Sequence, residues 1–213
     1  MTAVLIGLSL FSLPQTPIAT TSLFNGQNLD GWTIDAPDLD KNPDMPKPFF
    51  VRNGILVTSG KPTGCIITDQ VFENYRLSFD YRFVSQAGNN GLLIFCNTPR
   101  GFANIFPKCI EVQLKSGDGG DFYALGEDIE VPDMEKRRVP KDGRRIPNLT
   151  DGSEKPIGQW NTMIVEVRAN SVIVWVNGDL VNFGYNATAR SGKIALQSEG
   201  VEVEFKRLEL TKL

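Results

Sequence analysis

Apolar and polar residues alternate with a period of two through most of this chain. In Cys109-Ile110-Glu111-Val112-Gln113-Leu114-Lys115, the residues Ile110, Val112 and Leu114 fall on one face of a strand, and Glu111, Gln113 and Lys115 fall on the other. In the stretch from Tyr75 to Phe83, Leu77, Phe79, Tyr81 and Phe83 oppose Ser78, Asp80 and Arg82. Leu92-Leu93-Ile94-Phe95 is apolar on both faces, as a central strand should be. The same reasoning predicts strands at 49–51, 55–58, 64–68, 75–84, 91–96, 110–115, 161–169, 171–176, 179–182, 192–197 and 201–210. Asn177-Gly178 is a type I′ hairpin signal, because both residues tolerate positive φ. No stretch shows helical periodicity. The pattern predicts an all-β domain, a sandwich or jelly roll.

Residues 117–158 break the alternation with a run of charges and four prolines. A polar excursion of this length is either a functional loop over a site or a solvated insertion. The first reading is favoured, since the excursion begins directly after the Glu111 strand. With no internal repeat or low-complexity linker, residues 21–213 read as a single domain. Ahead of it, Ala3 to Leu13 is an apolar run followed by Pro14 and a small polar segment, so residues 1–20 read as a signal peptide. The alternative is an ordinary buried N-terminal strand, and no Lys or Arg precedes Lys41 to supply a basic n-region. A leader predicts a periplasmic or secreted protein, and no stretch is long enough to span a membrane.

The balance of 41% hydrophobic and 22% charged residues with a net charge of -3 is that of a soluble protein. Without a basic run, nothing points to nucleic acid. The absence of histidine narrows the chemistry further. It excludes His-based triads and His-ligated zinc, leaving proton transfer to carboxylates, Lys, Tyr or Cys. Three cysteines cannot all pair within the chain. Cys96 and Cys109 sit at facing ends of neighbouring strands, so either they form a disulfide or all three are small buried hydrophobes.

Several strands bring polar groups to one side of a sheet. Near the C-terminus Ile194 and Leu196 point one way, while Ala195, Gln197 and Glu199 point the other. If these faces share one sheet, Glu111, Gln113, Asp80, Arg82, Lys115, Gln197 and Glu199 line a common groove. Asp118 and Asp121 are oxygen ligands of the kind divalent cations such as calcium prefer, although a turn stabilised by Asp and Gly has the same composition. The sequence requires no cofactor. Phe122, Tyr123 and the tryptophans are candidates to stack on a ring-shaped ligand, although Trp32, Trp160 and Trp175 sit in strand contexts typical of a core.

The opening Leu23-Phe24-Asn25-Gly26-Gln27-Asn28-Leu29-Asp30-Gly31-Trp32, the turn Gly88-Asn89-Asn90-Gly91, the segment Ile110-Glu111-Val112-Gln113 and the ending Gly192-Lys193-Ile194-Ala195-Leu196-Gln197-Ser198-Glu199-Gly200 with Val203-Glu204-Phe205-Lys206 resemble the 3-keto-disaccharide hydrolase family. The resemblance runs from Ser22 to Leu213. It implies a concanavalin A-like jelly-roll sandwich of two antiparallel sheets, exported by bacteria that degrade glycosides. The implied substrates are glycosides already oxidised at C3 by a partner glycoside 3-dehydrogenase. On that reading Glu111 is the general base, Arg82 stabilises the enolate or positions substrate, and Gln197 and Glu199 close the far end of the groove. Gln113, Asp80, Lys115 and Tyr123 are the further candidates for holding substrate, with Asp80 pairing to Arg82 as the plainer alternative. A reading from another class is a glycan-binding module without catalysis, since a sandwich does not fix function.

Overall fold

The computed structural model describes residues 19–213, and the expected leader falls almost wholly outside them. The chain forms strands β1 (Thr20–Ser22), β2 (Trp32–Asp35), β3 (Phe49–Arg52), β4 (Ile55–Thr58) and β5 (Gly64–Thr68). These are followed by β6 (Tyr75–Phe83), β7 (Gly91–Cys96), β8 (Cys109–Gln113), β9 (Phe122–Leu125) and β10 (Arg145–Ile146). The last five are β11 (Asn161–Arg168), β12 (Ser171–Val176), β13 (Asp179–Gly184), β14 (Lys193–Ser198) and β15 (Val203–Lys212). Two short helices, α1 (Pro37–Lys41) and α2 (Met134–Arg137), bury no residue. Among the described residues no helix is long and apolar enough to cross a membrane.

The strands make two antiparallel sheets. One runs β13-β12-β11-β6-β15-β4-β3 with β1 added against β15, and the other runs β10-β9-β8-β7-β14-β5-β2. Alternation explains how they stack. Leu77, Phe79 and Tyr81 of β6, Val165 of β11 and Phe205 of β15 face Leu92 and Ile94 of β7, Ile110 and Val112 of β8, and Ile194 and Leu196 of β14 across one buried core. Each such side chain contributes about 1.5–3 kcal/mol by leaving water, so the inward stripes hold the sandwich together. The fold is the jelly-roll sandwich the alternation predicts. The Asn177-Gly178 turn has positive φ at both residues, 51° and 97°, as a type I′ hairpin requires.

Four strands were not visible in the pattern: β1, β2, β9 and β10. Each has no more than four residues, and β9 and β10 lie inside the polar excursion. There they pair with each other and, through β9, with β8, so the excursion extends the second sheet.

One irregularity in the second sheet decides what faces outward. Lys193 opposes Cys96 and Ala195 opposes Leu93, so two steps along β14 match three along β7. The extra residue is Phe95, held at a φ of 58°, a conformation a bulky side chain adopts only where packing enforces it. The bulge lets Ile94 and Phe95 both enter the main core and sends Cys96 to the outer face. Gly192 makes it possible, because a Cβ there would lie 2.3 Å from the Phe95 carbonyl carbon and 2.5 Å from its Cα. Backbone cannot recede as a side chain can. Gly192→Ala is therefore expected to cost about 1–3 kcal/mol and to lower the melting temperature by roughly 2–10 °C. A thermal melt coincident with wild type would contradict that account of the bulge.

Candidate active site

The strand β8 is buried on both faces. Ile110 and Val112 enter the main core, while Cys109, Glu111 and Gln113 occupy the outer face and are buried there too. What dries the outer face is the arch between β7 and β8, which folds back through Phe102 N to Phe106 O at 2.9 Å and Lys108 N to Thr98 O at 3.0 Å. Phe106 of this arch packs with Cys65, Leu93, Cys96, Cys109, Leu125 and Ala195 in a second, smaller apolar cluster. At the arch base Glu127 accepts from Asn97 Nδ2 at 2.7 Å and pairs with Lys108 Nζ at 3.1 Å. A carboxyl on this face thus begins in apolar surroundings.

That carboxyl is Glu111, which is 5% exposed. It occupies space that Gly91 leaves open on β7, where a Cβ would lie 2.3 Å from Glu111 Oε1 and 2.8 Å from Gln197 Oε1. Asn90, next to that glycine, donates through Nδ2 to Gln197 O at 2.8 Å and ties the turn to β14. Among the described residues neither Glu111 Oε1 nor Gln197 Oε1 has a hydrogen-bond partner. Burial pushes the Glu111 carboxyl up to about 8, and the nearby Glu199 charge adds to the rise against the opposing pull of Arg144 and Gln197. A buried acid with one unpartnered oxygen facing a cavity is costly to maintain, which makes Glu111 the candidate functional group of this face.

The cavity above Glu111 has a volume of about 230 Å³. Gln113, Lys115, Tyr123, Gln197, Glu199, Asn89 and Arg144 line it, together with Phe102, Phe106 and Leu125. Gln113 Oε1 accepts from Leu114 N at 2.9 Å and Lys115 N at 2.8 Å, which leaves its amide NH₂ as the donor toward the cavity. Lys115 Nζ sits 2.6 Å from Asp118 Oδ2, so this ammonium is already paired. The Tyr123 ring stands beside Glu111 because the two residues are register partners across β8 and β9. The arrangement can accept a proton at Glu111 and offer donors from several sides, which suits a polyhydroxylated ring.

Two candidates lie elsewhere. Arg82 and Asp80 project from β6, which belongs to the other sheet, and they face its outer surface. Arg82 Nε donates to Glu204 Oε2 at 2.6 Å, with its guanidinium 4.6 Å from the Trp160 ring. Asp80 takes Arg207 at 2.6 Å and Thr162 Oγ1 at 2.7 Å, so it does not pair with Arg82 either. Alternation placed both on a polar face correctly, but it carries no information about which sheet that face belongs to.

Asp118 and Asp121 are also committed. Arg145 bridges them, at 3.0 Å to Asp118 Oδ1 and 2.8 Å to Asp121 Oδ2, and Asn148 N donates to Asp121 Oδ1 at 2.7 Å. Cationic and amide donors thus occupy the oxygens that a divalent ion would need, and among the described residues no group of three acidic or thiol side chains is gathered to hold a metal. The three cysteines are free and buried in the outer cluster, so the disulfide alternative gives way to the packing one. The cavity residues that sequence reasoning missed are Asn89, Phe102, Phe106, Leu125 and Arg144. Asn89 was inside a turn already noticed, whereas Arg144 lies in the aperiodic excursion, where no pattern could aim it. A larger hollow of about 460 Å³ opens beside Phe83 and Glu154 at the sandwich edge. There Glu154 Oε2 accepts from Gly117 N at 2.8 Å and Gly119 N at 3.1 Å, so its carboxyl serves the loop.

Residues 19–211 match the sequence profile of the 3-keto-alpha-glucoside-1,2-lyase-like domain. The chain belongs to that family. The family groups it with carbohydrate-active proteins, among glycoside hydrolases and lyases. No curated protein sequence matches it. Among solved structures, a Parabacteroides distasonis protein provisionally named a glycosyl hydrolase is 22% identical, with a TM-score of 0.66 over 91% of this chain and 94% of the other. A carbohydrate-binding module from Bacillus subtilis shares the fold at 10% identity and a TM-score of 0.58, covering 85% and 96%. A GlcNAcα1-4Gal-releasing endo-β-galactosidase from Clostridium perfringens does so at 12% and 0.56, covering 92% of this domain and 63% of that chain. At these identities the likeness is one of fold.

The raised Glu111 carboxyl has a consequence for stability. In the unfolded domain it titrates near its ordinary 4.5, and in the folded domain near 8, so the folded state holds one more proton between those values. Its contribution is fully present below the unfolded value and is lost as pH rises through the folded one. Relative to Glu111→Gln, the wild type should lose stability by about 1.4 kcal/mol per pH unit across that window. Denaturant unfolding of both proteins at pH 5, 6.5 and 8 reads the gap, and a constant gap would contradict the shifted titration.

Proposed function

We propose that the domain cleaves 3-keto-glycosides by elimination, with Glu111 as the base. The observation that carries this reading is the buried Glu111 carboxyl, with one oxygen unpartnered, at the floor of a polar cavity. A ketone at C3 acidifies the hydrogen at C2. Glu111 takes that proton, the C2–H electron pair moves into the ring as the C3 enolate, and the enolate then expels the C1 oxygen to leave a C1=C2 enone. The departing oxygen takes up a proton and leaves as an alcohol. Water adding across the enone completes hydrolysis, and release of the enone makes the reaction a lyase reaction. None of these steps needs imidazole, which agrees with a chain that has no histidine.

The raised titration suits this task. A base with a value near 8 is stronger toward a weakly acidic C–H than an ordinary carboxylate, yet about a tenth of it is ionised at pH 7. Glu199 is the second carboxyl in the cavity and the candidate to manage the leaving oxygen. Gln113, Gln197 and Tyr123 are the candidates to hold ring hydroxyls. Such a substrate must first be oxidised at C3, so the reading includes a glycoside 3-dehydrogenase acting before this enzyme. It also includes export to the periplasm or beyond, supported by the apolar run near the N-terminus.

Turnover of a 3-keto-disaccharide, followed by enone absorbance, should rise with pH through about 8 in kcat/KM. Glu111→Gln should lose at least about a hundredfold while remaining folded, and a chelator should leave the wild-type rate unchanged. Binding of the sugar without turnover by wild type would replace the enzyme reading with a glycan-binding module.

A further inference from the structure

The elimination needs a positive group where negative charge collects, at the C3 oxygen of the enolate. Two cations line the cavity, and they differ in what already holds them. Lys115 Nζ is 2.6 Å from Asp118, whose other oxygen takes Arg145, so its charge is drawn into a network beneath the rim. Arg144 is tethered at Nε, 3.1 Å from Asp142 Oδ1. Among the described residues its two terminal nitrogens make no hydrogen bond to the protein.

Its placement is enforced from three directions. Arg144 O accepts from Ala124 N at 2.9 Å, which ties its backbone to β9. The next residue, Arg145, is held by Asp118 and Asp121 and pairs in register with Tyr123. The guanidinium lies 5.2 Å from the Phe102 ring, a cation–π seat that orients the plane while leaving the outer N–H groups free. An aromatic seat, one tethered nitrogen and two free ones describe a group ready to receive an anionic oxygen.

We propose that Arg144 is the residue that stabilises the enolate, donating from its terminal nitrogens to the C3 oxygen as Glu111 removes the C2 proton. This rests on the elimination reading above and assigns within it a catalytic residue carried by the polar excursion. When the C2–H bond breaks, its electron pair becomes the C2=C3 bond and the former carbonyl pair becomes charge on the C3 oxygen. Fixed N–H donors at that oxygen act mainly in the transition state, because the ketone itself carries little charge. The excursion then supplies the electrophilic half of the site and β8 the basic half.

Arg144→Gln tests this on the full chain with a 3-keto-disaccharide. Loss of one such donor is expected to lower kcat by roughly a hundredfold with KM changed by only a few-fold. Arg144 also opposes the rise at Glu111, so the inflection of kcat/KM with pH should move upward in this variant. The other charged or titratable groups facing Glu111, namely Glu199, Lys115 and Tyr123, are untouched by it. Arg144→Ala gives a second arm, in which added guanidinium chloride at non-denaturing concentration should restore part of the rate and sodium chloride at the same strength should not. A rise in KM with kcat intact, an unmoved inflection or an absence of guanidinium rescue would each overturn the assignment. Glu111→Gln run in parallel separates the two claims, since full turnover by that variant would remove the elimination reading itself.

Discussion

The site depends on β8 being dry on both faces. A strand at the surface of a sandwich ordinarily shows one face to water, and its carboxylates titrate normally there. Here the arch carrying Phe102 and Phe106 closes over the outer face and builds a second apolar cluster around Cys109 and Leu93. Glu111 follows Cys109 by two positions, so alternation delivers its carboxyl to the border of that cluster. Gly91 opens the space it fills, and Gln197 and Glu199 arrive from β14 on the same side. The apolar surroundings raise the carboxyl, and the carboxyl borders the cavity.

A chain without histidine must obtain a base near neutral pH by shifting another group. Desolvation achieves this for a carboxyl, and the shift has a cost, because an ionised Glu111 is poorly solvated where the protein buries it. On the proposed elimination, the free protein holds a proton that Glu111 must release before it can act as a base. Arg144 at the rim opposes this cost without cancelling it. Lys115 is paired to Asp118, and Arg144 projects into the cavity from the excursion. This balance of a buried acid with a neighbouring free cation gives a cleft rather than a surface patch its chemical character.

Much of this was legible in the residues, for a definite reason. A period of two assigns each residue of a strand to a face, so Glu111 with Gln113 and Gln197 with Glu199 could be separated from Val112 and Leu196 without coordinates. The same rule could not say that β6 lies in the other sheet, and so Asp80 and Arg82 were assigned to a groove they do not reach. Short strands such as β9 and β10 escape periodicity, and with them went the placement of Arg144. Asp118 and Asp121 have the composition of a cation site, yet Arg145, 24 residues beyond Asp121, occupies their oxygens. Pairing over that distance is written in no local pattern.

The most direct test is a titration of the Glu111 carboxyl itself in the folded, ligand-free domain. Carbon-13 NMR of glutamate side-chain carboxyls, with Glu111→Gln used to assign the resonance, reads its midpoint alone. The account predicts a midpoint near 8, well removed from the other glutamates. A midpoint in the ordinary carboxylate range, near 4.5, would show that Glu111 is solvated and ionised at neutral pH, and the central claim of a buried, proton-bearing acid at the cavity floor would fall.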